Sequence, residues 1–153
     1  MGDGAVVIGV GNPDRGDDGA GAEVLARLDG RVPAGVRLVR LSGADPAQVM
    51  EAWAGAAQVF VVDAMVSGSP AGTVRRFDAV VGPLPAEVRL FSTHVLGAGA
   101  AIEMARVLER LPASLTVYAV EGATFAVGTG LGPAVAAGAA EAAARILEEV
   151  RGA

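Results

Sequence analysis

The sequence contains no cysteine and no lysine, and only 4% of its residues are aromatic. Without cysteine, the chain has no disulfide, no thiolate metal ligand and no cysteine nucleophile. Without lysine, it lacks the side chain with which a P-loop holds a polyphosphate. The absence of cysteine is compatible with the cytoplasm, which is where we expect the protein to act.

Basic residues and long apolar runs are also scarce. The 153 residues include 17 acidic and 12 basic side chains, which gives a formal net charge of −5. A nucleic-acid-binding surface is normally basic and often carries aromatic side chains for base stacking, so we expect no nucleic-acid partner. No apolar run approaches the roughly 20 residues of a membrane-spanning helix, so we expect no membrane partner either.

Hydrophobic residues make up 52% of the chain, which is enough for a buried core. The length predicts a single domain spanning residues 1–153. Hydrophobic periodicity predicts strands at 5–10, 36–41, 58–62, 73–77 and 114–120, and helices at 18–28, 46–54, 95–111 and 132–150.

The alternation of these elements predicts an α/β fold. We expect a three-layer sandwich, with a mostly parallel, twisted central sheet of about five strands and helices on both faces. Asp45 is a predicted N-cap of the second helix, and Pro112 is predicted to end the third helix. The segment 81–89 contains two prolines and is predicted to be irregular.

An acidic, glycine-rich loop follows the first predicted strand. Asp14, Asp17 and Asp18 lie in this loop, with Arg15 as the one basic residue among them. Glycine-rich loops at strand ends usually bind phosphate, but three carboxylates would repel an anion. Carboxylate oxygens are suited to a metal cation instead, so the loop predicts a cation site.

A dinucleotide-binding interpretation is weaker. The segment from Gly9 to Asp14 begins like the G-x-G-x-x-G motif, but its sixth position is an aspartate. The second strand ends near Arg40, where the motif would have an acid for the ribose. A nucleotide-dependent enzyme therefore remains only a minor hypothesis, which a thermal shift with dinucleotide or metal would test.

Other polar residues lie near the ends of the predicted strands. Asp63 follows the third strand, His94 precedes the third helix, and Glu121 follows the last strand. Ligands of open α/β sheets bind outside the carboxyl ends of the strands, so carboxylates and the single histidine could form a three-ligand metal site there. Structural roles remain open: a helix cap for Asp17 or Asp18, a turn cap for Asp63, a surface cap for His94, and an arginine partner for Glu121.

Several motifs occur in an order that spans nearly the whole chain. They are Gly9-Val10-Gly11-Asn12-Pro13, Gly16-Asp17-Asp18-Gly19-Ala20-Gly21, Val61-Val62-Asp63-Ala64, Ser92-Thr93-His94, Val120-Glu121-Gly122 and Gly128-Thr129-Gly130-Leu131-Gly132-Pro133-Ala134-Val135. Together they resemble the hydrogenase maturation proteases, which implies an α/β fold with a twisted central sheet.

The resemblance implies an endopeptidase that removes the C-terminal extension from the nickel-loaded large-subunit precursor of a nickel–iron hydrogenase. It implies that Asp18, Asp63 and His94 are the metal-binding and catalytic residues. The nickel would be supplied by the precursor, with cadmium or zinc as possible surrogates. The implied partner is the hydrogenase large-subunit precursor, and we expect the enzyme to be a monomer.

Two positions depart from the family pattern. Ser42-Gly43-Ala44-Asp45 replaces a segment that begins with aspartate in several members, and Asp45 is a candidate substitute for that acid. Gly132 stands where the family usually has serine. The first departure supports an alternative function: a relative that senses a metal centre or escorts a precursor without cleaving it.

Overall fold

A six-stranded, mostly parallel sheet forms the centre of the protein in the computed structural model, which describes residues 4–91 and 97–152. The strands are β1 (Ala5–Val10), β2 (Arg37–Leu41), β3 (Gln58–Val66), β4 (Val74–Asp78), β5 (Arg89–Leu90) and β6 (Ser114–Glu121). The helices are α1 (Ala20–Leu28), α2 (Pro46–Trp53), α3 (Ala98–Val107) and α4 (Pro133–Gly152), and a short 3-10 helix (Gly16–Gly19) precedes α1.

The strand order is β2-β1-β3-β6-β4. The pairs β1–β2, β1–β3 and β3–β6 are parallel, whereas β4 lies antiparallel to β6 at the edge of the sheet. The two-residue strand β5 pairs antiparallel with the end of β3. The predicted fold class is confirmed, and the sixth strand is β5, which begins where the segment predicted to be irregular ends.

Helices cover both faces of the sheet because the central strands are apolar on both sides. On one face, α1 and α4 pack against a layer that includes Val7, Phe60 and Tyr118. On the other face, α2 and α3 pack against a layer that includes Ile8 and Val61. Full burial of such a side chain stabilises the fold by about 1.5–3 kcal/mol. The two apolar layers account for the predicted three-layer architecture.

The third strand is longer than predicted. The sequence predicts its end at residue 62, but β3 continues to Val66. Met65 pairs with Leu90 of β5 on one side and with Glu121 of β6 on the other, and these partners extend the strand. The prediction that Asp63 ends the strand is therefore wrong, since Asp63 lies inside the strand and is 0% exposed.

The helix boundaries also differ in part. The N-cap prediction for α2 is confirmed, because the Asp45 carboxylate accepts a hydrogen bond from the Ala47 N–H at 3.0 Å. The predicted first α-helical turn at 18–19 is instead part of the 3-10 helix. Helix α3 ends at Val107 and Glu109 has a positive φ of 57°, so Pro112 does not end it.

Predicted positions 95 and 96 of the third helix lie outside the described residues. Across 4–91 and 97–152, no helix combines the length and the apolar character that crossing a membrane requires.

Candidate functional site

The loop after β1 turns sharply so that Asp18 lies against the end of the strand. Gly11 makes this turn with a φ of +133°, and its N–H donates to the Leu41 carbonyl at 2.9 Å. A Cβ atom at Gly11 would lie 2.1 Å from the Asp18 carbonyl oxygen and 2.8 Å from Asp18 Oδ1. Only glycine combines this backbone conformation with such a close approach.

The Asp18 side chain is 3% exposed and is held by its own loop. Its Oδ2 accepts a hydrogen bond from the Asn12 N–H at 2.8 Å. Burial raises the pKa of Asp18, and the Asn12 hydrogen bond and the positive charge of Arg15 offset part of that rise. The Arg15 Nε atom is itself buried without a hydrogen-bond partner in the part of the chain that the structure describes.

Asp63 is the most deeply buried carboxylate of the site. Its Oδ1 accepts a hydrogen bond from the Ala64 N–H at 2.8 Å, whereas Oδ2 has no partner among the described residues. Burial raises the pKa of Asp63 well above its ordinary value, and the negative charge of Asp18 raises it further. The two carboxyl groups therefore lie close enough to repel each other when both are ionised.

This pair of carboxyl groups fits a cation. A positive ion would cancel the repulsion between Asp18 and Asp63 and would give Asp63 Oδ2 the partner that it lacks. Within residues 4–91 and 97–152, no three His, Cys, Asp or Glu side chains form a cluster that could hold a metal. The third predicted ligand, His94, lies outside the described residues.

Asp17 points away from this pair and toward the loop that follows β6. Its Oδ2 accepts hydrogen bonds from the N–H groups of Ala123 at 2.7 Å and Thr124 at 3.0 Å, and its Oδ1 accepts from Gly132 at 2.9 Å. Burial raises the pKa of Asp17, but the three N–H groups outweigh burial and bring the pKa below its ordinary value.

The interpretation of Asp17 or Asp18 as a helix cap is wrong. At the start of the 3-10 helix and at the start of α1, no capping side chain accepts a hydrogen bond from the helix N–H groups. The Asp17 carboxylate accepts hydrogen bonds from N–H groups of a distant loop, and the Asp18 carboxylate accepts one from an N–H group of the loop after β1.

Glu121 closes a second loop at the same edge of the sheet. Its carboxylate accepts hydrogen bonds from the Ser67 N–H at 3.1 and 3.2 Å and from the Ser67 hydroxyl at 2.5 Å. The predicted arginine partner is wrong, since the ion pairs found in the described residues do not include Glu121. Ser67 is not among the predicted site residues, and only its place just after β3 could have suggested this contact.

The comparisons with known proteins concern the family and the fold of the chain. Residues 30–149 match the family model described as HycI, hydrogenase maturation protease, which is well over half of the chain.

The chain belongs to the hydrogenase maturation protease family.

A hydrogenase maturation protease is a hydrolase, and the solved structures of the family share the fold described above. The chain is similar to the hydrogenase maturating endopeptidase HybD from E. coli, with 25% identity and a TM-score of 0.80, over 97% of this chain and 93% of that one. It is also similar to the [NiFe] hydrogenase maturation protease HybD from Thermococcus kodakarensis, with 26% identity and a TM-score of 0.74, over 96% and 98% of the two chains.

A HycI hydrogenase maturation protease from Thermococcus kodakarensis KOD1 shares the fold, with 23% identity and a TM-score of 0.74, over 97% of this chain and 92% of that one. No curated protein sequence gives a significant match. The segment that matches the family model contains Asp63, whereas Asp18 lies before it.

Proposed function

We propose that this maturation protease removes the C-terminal extension from the nickel-loaded large-subunit precursor of a nickel–iron hydrogenase. The observation that carries the proposal is the buried Asp63 Oδ2 atom, which has no partner among the described residues. It belongs to a carboxyl group whose pKa is raised by burial and further by the charge of Asp18. Such a pair is destabilised until a cation arrives, so it favours a substrate that carries one.

In this proposal the nickel is part of the substrate. Asp18, Asp63 and His94 contact the nickel in the precursor, and this contact places the scissile peptide bond at the carboxyl edge of the sheet. Fixing the bond relative to an attacking water supplies much of the rate by proximity. Cadmium and zinc are proposed surrogates, because both bind carboxylate and imidazole ligands.

Asp17 and Asp63 are the two carboxylates that we consider as a general base, and the hydrogen bonds around them differ. Both Asp17 oxygens already accept backbone N–H groups, so Asp17 has little capacity left to take a proton from water. Asp63 Oδ2 has no partner among the described residues, and in this proposal it is the oxygen that contacts the nickel. We therefore assign Asp63 to the contact with nickel and assign the general base to neither of these two carboxylates.

We further propose that Asp45 does not replace the acid that other family members have after the second strand. It is exposed and caps α2, so its carboxylate serves the helix. The missing acid is the observation that favours the alternative of a non-cleaving precursor-escort or metal-sensing protein.

Mass spectrometry of the precursor tests the proposal and separates the two functions. Nickel-loaded and nickel-free precursor are each incubated with the protein, and the mass of the large subunit is followed with time. We expect loss of the C-terminal extension from the nickel-loaded form only. A stable complex with an intact precursor would support the escort function, and equal cleavage of both forms would contradict nickel recognition.

A further inference from the structure

The Asp17 carboxylate connects two loops that are far apart in the sequence. Its three N–H donors lie 106, 107 and 115 residues further along the chain, in the loop between β6 and α4. The side chain is 2% exposed, so these bonds are shielded from water. Hydrogen bonds to a charged, buried acceptor are stronger than neutral ones.

Backbone hydrogen bonds run beside this side-chain connection. The Asp17 N–H donates to the Thr124 carbonyl at 2.7 Å, and the Gly16 N–H donates to the Thr129 carbonyl at 3.0 Å. In the opposite direction, the Gly128 N–H donates to the Asp14 carbonyl at 2.8 Å. The acidic loop is therefore attached along its length to the loop that follows β6.

Close packing leaves little room for the two loops to shift relative to each other. A Cβ atom at Gly122 would lie 3.0 Å from Asp17 Cβ and 2.5 Å from Phe125 Cζ. Phe125 in turn stacks on Phe91, with ring centroids 3.8 Å apart. Asp17 is thus held by the β6–α4 loop, which is itself packed against the end of β5.

Asp18 follows Asp17 directly, and its carboxylate points toward Asn12 and Asp63 rather than toward the β6–α4 loop. We propose that Asp17 is a positioning residue, whose hydrogen bonds to Ala123, Thr124 and Gly132 fix the backbone from which Asp18 reaches the substrate. The contact between Asp18 and the substrate is part of the proposed function, and the inference rests on the proposed function for this contact alone.

The Asn12 amide reports the position of Asp18 without any activity measurement, because its N–H donates to Asp18 Oδ2. Hydrogen exchange of this amide is measured by NMR in the wild type and in Asp17→Asn. Asparagine keeps the shape but turns one acceptor oxygen into an NH₂ group that faces backbone N–H donors. We expect exchange at Asn12 to accelerate about tenfold, the factor that loss of one hydrogen bond to a charged group produces.

Asp45→Asn is the matched control, because Asp45 also accepts a backbone N–H but serves α2 alone. We expect the rate of hydrogen exchange at the Asn12 amide in Asp45→Asn to match the rate in the wild type. The amide of Val61 in the core of β3 reports global unfolding in every variant, and the change at Asn12 must exceed the change at Val61. Unchanged exchange at Asn12 in folded Asp17→Asn would overturn the inference.

If Asp17→Asn does not fold, native-state hydrogen exchange of the wild-type protein tests the inference instead. The Asn12 amide and the amides of Ala123, Thr124 and Gly132 should then open with one common free energy in native-state exchange, because they belong to one unit. Clearly different opening free energies for Asn12 and the other three would overturn the inference.

The consequence for function is measured separately, as the rate of processing of nickel-loaded precursor by Asp17→Asn, Asp18→Asn and Asp17→Asn/Asp18→Asn. If Asp17 acts through Asp18, the double variant loses no more activity than Asp18→Asn alone. A loss equal to the product of the two single losses would contradict positioning. A wild-type protein that leaves the precursor intact would contradict the proposed function instead, and the exchange result would stand.

Discussion

Replacing Asp63 with asparagine is expected to stabilise the protein while removing its proposed activity. Asp63 is 0% exposed, and its Oδ2 has no partner in the described part of the chain. A buried polar group left unpaired costs about 1–3 kcal/mol, and more when it is charged. Asparagine keeps an Oδ1 for the Ala64 N–H, and its NH₂ group carries no charge that burial and Asp18 would penalise.

We therefore expect Asp63→Asn to raise the free energy of unfolding by about 2 kcal/mol at a pH where the wild-type carboxyl group is ionised. For a chain of 153 residues, this corresponds to a rise in Tm of about 4–8 °C. Urea unfolding followed by circular dichroism measures the difference. A chelator is present, so that no bound metal stabilises the wild type.

The pH dependence gives the sharper test. The pKa of Asp63 is higher in the folded state than in the unfolded state, so above its ordinary value of 3.8 the folded state binds more protons. Stability of the wild type therefore falls as pH rises from 3.8 to the folded-state pKa, and this contribution is absent in Asp63→Asn. The advantage of the variant should be small near pH 4 and largest at alkaline pH.

Asp78→Asn is the control, because Asp78 is exposed and accepts the Val80 N–H at 3.0 Å. We expect its stability to stay within about 0.5 kcal/mol of the wild type. A destabilised Asp63→Asn, or a gain that does not change with pH, would refute the account of Asp63 as an uncompensated buried acid.

Three further substitutions test two separate features of the structure. Gly11→Ala should lose about 1–3 kcal/mol of stability from its φ alone, and it should also lose precursor processing because its Cβ collides with Asp18. Gly35→Ala, with a φ of +93° and nothing within 4 Å of its Cβ, should lose stability only, and equal processing by both variants would contradict the collision. Burial and a hydrogen bond to Glu149 raise the pKa of Tyr118, the only tyrosine, to about 12. Glu149→Gln should therefore lower the midpoint of the tyrosinate absorbance titration. An unchanged midpoint would show that burial alone raises the pKa of Tyr118.

The sheet and its helices were predictable because their signals are local. The apolar runs of β1 and of the first half of β3 indicate strands buried on both faces, and the structure pairs them side by side. The rule that ligands gather at the carboxyl ends of parallel strands also placed Asp18 and Asp63 near each other. Their electrostatic interaction agrees with that placement.

The errors occurred where a distant partner determines the local structure. The last residues of β3 form a strand because β5 pairs with Val66, and two residues of β5 carry no recognisable periodicity. Likewise, the sequence could not show what Asp17 binds, because its N–H donors lie more than 100 residues away. Helix α3 ends at Val107 because Glu109 adopts the left-handed conformation and the Arg110 N–H donates to the Ala105 carbonyl at 2.8 Å, an end that glycine usually marks in a sequence.

Processing of nickel-loaded precursor by three single variants tests the central claim most directly. The variants are Asp18→Asn, Asp63→Asn and His94→Ala, with Asp78→Asn as the folded and active control. Mass spectrometry measures how much large subunit loses its C-terminal extension. We expect the wild type and the control to cleave at similar rates and each of the three variants to leave the precursor largely intact. Processing at the wild-type rate by all three would contradict the assignment of the site.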